Sequence, residues 1–195
     1  MSVRLARILL AAYLLTIYAT LGIVRTITNA LRDRGVLRIG VVIAFTLAAI
    51  AAIALLVRDP RNRSSRTLLA LLITGAAYAA VIVPMKSPEE KIHFIEYGGV
   101  AALAHAAAPR AWSQRKRFLS CALFVAAAGW IDEGIQALLP SRYYDLRDVA
   151  FNAAAGLMAL AAIAIFFPRE RTVGTDRPQT VAQDADHGRP RRDRQ

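Results

Sequence analysis

Six apolar blocks follow one another along the chain, each 17 to 22 residues long, separated by short charged links. They cover residues 5–24, 39–57, 67–83, 92–108, 118–139 and 149–167. A helix of that length crosses a hydrocarbon core of about 30 Å. The pattern predicts an all-α, polytopic membrane helix bundle with six transmembrane helices. It divides into residues 1–66, with two transmembrane helices and basic links, 67–167, with a four-helix core, and 168–195, a polar tail. No internal repeat of 20–50 residues stands out, which argues against a solenoid.

The links carry the stop and start signals. Residues 25–38 read as a polar link with four Arg and one Asp. Pro60 stops the second helix, and Ser65 caps the third. Residues 84–90 form a loop bracketed by two prolines. The tail holds seven Arg and five acidic residues without apolar periodicity and reads as disordered. The first block has a basic start, as a secretory signal has, but no A-x-A-type site follows it, so it reads as an uncleaved helix.

Composition sharpens this picture. The chain of 195 residues is 56% hydrophobic, above the usual share for a soluble domain. Its net charge of +11 would point to nucleic acid in a soluble protein. Here the arginines lie between apolar blocks and act as orientation signals, so no nucleic-acid partner is expected. With six spans, 17 Lys and Arg fall on the side of the termini and 8 on the other. The richer side is cytoplasmic by the positive-inside rule. Both termini then lie in the cytosol of a cell-membrane protein, and the links at 84–91 and 140–148 face outward. Cys121 is the single cysteine and sits in an apolar block, so neither a disulfide framework nor a metal-type spacing exists. No cofactor motif and no metal site is expected, and oligomeric state is left open.

Polar residues inside the last three blocks are the exception to the pattern. A charge at bilayer depth costs about 2.5–3.5 kcal/mol on insertion scales and persists where it pairs or meets water. His93, Glu96 and Tyr97 stand at i, i+3, i+4 and share a helix face. Asp132 and Glu133 each share a face with Gln136 but lie about 100° apart, so only one points at a given spot. Glu133 is the choice for the pocket. Asp148, Asn152 and Gly156 form a further stripe, whose glycine admits a neighbouring helix. At about 1.5 Å per residue, all three groups lie within roughly 10 Å of the outer helix ends. Agreement in depth points to one polar pocket. His105, about 120° around the helix from His93, falls outside it.

Plainer roles compete with the pocket. Gln136 and Asn152 suit helix–helix hydrogen bonds. Asp145 and Asp148 suit helix capping. Arg142 suits a headgroup anchor, a partner for Glu133 or Asp148, or a phosphate clamp. His93 beside carboxylates suits a general acid–base pair or proton relay. The catalytic candidates are His93, Glu96 and Glu133. Tyr97, Asp132, Gln136, Arg142, Asp148 and Asn152 are the candidate substrate-binding residues.

These residues resemble the VanZ-like family of integral membrane proteins. Lys91, His93-Phe94 and Tyr97 look like its first signature. Glu133-x-x-Gln136, Pro140-x-Arg142 and Asp148-x-x-x-Asn152-x-x-x-Gly156 look like its second half. The resemblance spans about residues 67–167, with Glu89-Glu90 where the family often carries Asp. It implies a membrane protein of the cell envelope, with the namesake linked to tolerance of the glycopeptide antibiotic teicoplanin. Three functional expectations follow. The pocket binds an envelope lipid or lipid-linked headgroup, or it hydrolyses or transfers part of one, or its polar layer only locks helices and binds a partner.

Overall fold

The computed structural model describes residues 1–58, 64–140 and 142–166. Pro60, most of the second basic link and the tail at 168–195, with the roles expected of them, lie outside the described residues. Among those described there are six α-helices and no strand. They are α1 (Val3–Asp33), α2 (Val36–Arg58), α3 (Ser65–Ile82), α4 (Pro88–Ala107), α5 (Gln114–Ala137) and α6 (Leu146–Phe166). The fold is the expected all-α bundle, and five of the helices are long and apolar enough to cross a membrane.

α4 is the one that does not qualify. Its 20 residues include His93, Glu96 and Tyr97, which lower its apolar content. Its place explains how that is tolerated. α4 lies at the centre, packed against α1, α2, α5 and α6, and buries Phe94, Tyr97, Val100, Ala101, Ala104 and Ala107. A helix wrapped by protein meets little lipid and need not be uniformly greasy. α3 buries none of its residues. Its Leu68, Leu69, Leu72 and Ile73 are exposed and give it an apolar outer face.

Helix ends follow local chemistry. The side chains of Ser2, Ser64, Ser87 and Ser113 each accept a backbone N–H at the start of a helix. The cap of α3 is therefore Ser64 rather than Ser65, one residue upstream of expectation. Pro88 fits the first turn of α4 because its missing N–H would have had no helical partner there.

The largest departure from the sequence pattern is α1. It runs for 31 residues, so most of the expected polar link at 25–38 is helix. Nothing between Arg25 and Asp33 breaks a helix, and polarity alone ends a span, not a helix. The real turn is Arg34–Gly35, where Gly35 adopts φ 70 and its N–H reaches the carbonyl of Arg32. That left-handed conformation suits glycine.

α1 and α4 run antiparallel. Arg7 donates to the carbonyl of Ala107 at one end, and Arg32 pairs with Glu89 at 3.0 Å at the other. α5 and α6 cross at two glycines. A Cβ placed on Gly129 would lie 2.6 Å from Cβ of Asn152, and one on Gly156 would overlap Val125. The stripe of Asp148, Asn152 and Gly156 thus does what its glycine predicted, since the two backbones approach where no side chain intervenes.

Candidate functional site

The helix ends beside residues 142–145 border an open polar cavity of about 490 Å³. This is within the size range of small-molecule sites, about 300–1,000 Å³. Ser87, the cap of α4, and Glu89, Ile92, His93 and Glu96 of α4 form part of its wall, and α5 contributes Asp132 and Gln136. Arg142, Tyr143, Tyr144 and Asp145 come from the hairpin, and Asp148 from α6. The remaining wall is α1, through Ile17, Thr20, Leu21, Val24, Arg25, Thr28, Asn29 and Arg32.

A hydrogen-bonded network lies beside and beneath this wall. Tyr97 donates its hydroxyl to Asp132 Oδ2 at 2.8 Å, joining α4 to α5. The Gln136 amide donates to Asp132 Oδ1 at 3.3 Å and to Glu133 Oε1 at 3.0 Å. The other Glu133 oxygen accepts the backbone N–H of Asp145 at 3.2 Å, which ties the hairpin to α5. Tyr18 of α1 donates to the carbonyl of Ala128 at 2.9 Å. Each such bond has a net worth of about 0.5–1.5 kcal/mol, or about 1.5–3 where one partner is charged.

The choice of Glu133 over Asp132 for the pocket is corrected by this geometry. The two carboxylates do diverge, and both are 1% exposed. It is Asp132 that borders the cavity, whereas Glu133 turns toward the hairpin backbone. One glutamine serves both because its single NH₂ group carries two donors. Tyr97 supports Asp132 from behind the wall, and Asn152 is wholly buried at the α5–α6 crossing. Neither residue lines the cavity. His93, Glu96, Asp132, Gln136, Arg142 and Asp148 all do.

His93 Nε2 stands 3.7 Å from Asp148 Oδ2, long for a hydrogen bond but close enough for attraction when the ring is protonated. Its Nδ1 is buried without a hydrogen-bond partner, as is Nε of Arg142. Arg142 does not pair with Glu133 or Asp148; its charge acts on Glu96. Asp145 takes the capping role foreseen for it, with Oδ1 accepting the N–H of Arg147 at 2.8 Å. Asn152 leaves both amide atoms unbonded, so the helix–helix hydrogen bond expected of it is not formed among the described residues. His105 stays apart, its carbonyl accepting from Arg117 near the opposite end of α4.

The wall supplied by α1 is what the sequence reading missed. A signal was there. Ile17, Leu21, Val24, Thr28 and Arg32 recur at three- and four-residue steps, the period of one helix face, straight through the residues assigned to a link.

Helices of this length and apolarity, closed around a polar cavity, define a multi-pass membrane protein. No family model, no curated protein and no solved structure matches the chain.

Proposed function

We propose that this protein binds the headgroup of an envelope lipid, or of a lipid-linked envelope component, in the cavity beside the hairpin. One observation carries the reading. Four helices and a hairpin bring His93, Glu96, Asp132, Arg142 and Asp148 to a single hollow at one end of an otherwise apolar bundle. Burying such groups in a membrane is costly unless they meet partners or water. The buried nitrogens of His93 and Arg142 that lack partners are donors or acceptors available to a ligand.

The positive-inside count supports placing both termini in the cytosol and the hairpin outside, in the cell membrane. The cavity then faces the outer leaflet. Membership of the VanZ-like family, and with it a role in teicoplanin-type tolerance, is proposed on the sequence resemblance alone. Two experiments test the reading. Reporter fusions at residue 141 should report the exterior, and a cytosolic report would reverse the proposed side. Lipid extracted from gently solubilised wild type should contain a species depleted in His93→Ala, and equal lipid in both would remove the headgroup role.

A second reading has one observation in its favour. His93 lies against Asp148 with its other nitrogen unbonded, which is the arrangement of a base and the acid that orients it. An intramembrane hydrolase or transferase would use His93 in that way, with Glu96 or Glu133 as a further candidate. A changed headgroup after incubation of purified protein with lipid would favour it over simple binding. Failure of both His93→Ala and Glu133→Gln to accumulate would favour a structural polar layer instead.

A further inference from the structure

The end of the bundle away from the cavity is basic and holds no described carboxylate. Residues 1–32 and 97–131 contain no Asp or Glu. Where α1 and α5 begin and α4 stops, they bring together Arg4, Arg7, Arg110, Arg115, Lys116 and Arg117. Outside the described residues, 59–63 add one Asp and two Arg, and 168–195 add five acidic residues and seven Arg, so cations are in excess there too. The first turns of α4 and α6, at the other end, carry Glu89, Glu90 and Asp148, whereas those of α1 and α5 carry no acid. The positive poles of α1 and α5 therefore add to the cations beside them.

Half of these cations are engaged with the protein. Arg7, Arg110 and Arg117 donate to the carbonyls of Ala107, Met1 and His105, which draws the helix ends together. Arg4, Arg115 and Lys116 are exposed. Lys116 extends over the half-buried Trp112, with Nζ 4.8 Å from the ring centre. Each exposed arginine stands at the head of an apolar stripe. Arg115, Leu119 and Leu123 follow at i, i+4, i+8, and both leucines are exposed. Arg4, Ile8 and Leu15 share one face of α1, with Ile8 and Leu15 exposed. Both helices are long and apolar enough to cross a membrane.

Independently of the headgroup reading above, we infer that this end is a second lipid site. Arg4, Arg115 and Lys116 bind the phosphates of anionic phospholipids in the leaflet that the termini face, and the acyl chains lie along the two stripes. A cation above an exposed apolar stripe matches the order of parts in a phospholipid, phosphate and then hydrocarbon. A soluble polyanion would use the cations and leave the stripes uncovered. Trp112 belongs at the same level, since tryptophan favours the membrane–water interface. A choline headgroup brings a cation of its own to an already basic surface, whereas a glycerol headgroup brings only the phosphate charge.

Native mass spectrometry of the full chain in detergent tests the inference, with phosphatidylglycerol and phosphatidylcholine of matched acyl chains as probes. Wild type should bind the glycerol lipid at least about tenfold more tightly, a difference of about 1.4 kcal/mol. Two cations near a membrane surface suffice for that. The triple variant Arg4→Gln, Arg115→Gln, Lys116→Gln should retain a preference of about twofold at most. Arg4→Lys with Arg115→Lys should keep most of it, because the charge is unchanged. Raising salt should shrink the wild-type preference, since screening shortens to about 3 Å at 1 M. If the triple variant does not fold, Arg115→Glu alone should lower the preference at least about threefold. Equal binding of the two lipids by wild type, a preference unchanged in the folded triple variant, or one that salt does not alter would overturn the inference. Arg142→Gln keeps the cavity apart. A preference lost in that variant and kept in the triple one would assign the anionic lipid to the cavity and overturn the second site. The headgroup reading stands or falls separately, on the lipid depleted in His93→Ala.

Discussion

α3 and α4 are nearly equal in length, 18 and 20 residues, and opposite in environment. α3 is apolar enough to cross a membrane and has no fully buried residue, although Tyr78, Val81 and Ile82 pack against the core from its C-terminal half. α4 misses the apolar criterion and is surrounded on most sides. In water, apolar content goes with the interior. In a bilayer, lipid is as apolar as leucine, so hydrophobicity no longer separates inside from outside. What separates them here is the presence of polar residues, since alanine and glycine occur in both helices. His93, Glu96 and Tyr97 mark the helix surrounded by protein, while Leu68, Leu72 and Ile73 leave an exposed apolar face on the other.

The largest expected effect that tests this contrast comes from a pair of matched substitutions. Gly129→Leu places side-chain atoms where Asn152 already sits, and overpacking of this kind costs about 1–3 kcal/mol or more. Gly75→Leu on α3 meets open space and should leave stability unchanged or slightly raised. Thermal unfolding in detergent should separate the two variants clearly, and equal melting would break the division between a packed and a lipid-facing helix.

Tyr97→Phe comes next. It deletes the donor to Asp132 and leaves a buried carboxylate one partner short, at a cost of about 1.5–3 kcal/mol. Leu72→Ala on α3 is the comparison, expected within about 0.5 kcal/mol because the side chain is exposed. His93→Ala should cost less than Tyr97→Phe in stability, since the ring is part-exposed and its Asp148 contact is 3.7 Å. Its effect should appear instead in copurified lipid. The smallest effect belongs to Arg32→Ala, which removes an exposed ion pair worth about 0–1 kcal/mol. Raising salt should shrink that difference further, and a large, salt-independent loss would mean that the α1 extension is held more firmly than one surface pair implies.

Much of the fold was legible because its signal is local. A run of about 20 apolar residues predicts a span without knowledge of its neighbours. The glycine stripe on α6 and the cap at Asp145 were readable for the same reason, since both depend on spacing within one helix. The extent of α1 was misread because hydropathy reports where a helix leaves the apolar zone, not where its backbone hydrogen bonds end. With that boundary went Arg25, Thr28, Asn29 and Arg32, a whole wall of the cavity.

The carboxylates on α5 show the second limit. Asp132 and Glu133 are adjacent, both acidic and both buried, and periodicity says only that they diverge. Which one borders the cavity depends on where α4, the hairpin and α6 stand around α5. Tyr97 draws Asp132 toward α4, and the Asp145 N–H holds Glu133 toward the hairpin.

From its residues alone this chain determined six helices, a multi-pass membrane class and the three segments whose polar groups converge. Those follow from length, hydropathy and helical period, which act over one or two turns. The cavity, its α1 wall and the division of labour between Asp132 and Glu133 were decided only by the packed bundle. Contacts between helices far apart in the chain leave no periodic trace in either partner, because each one depends on the position of the other.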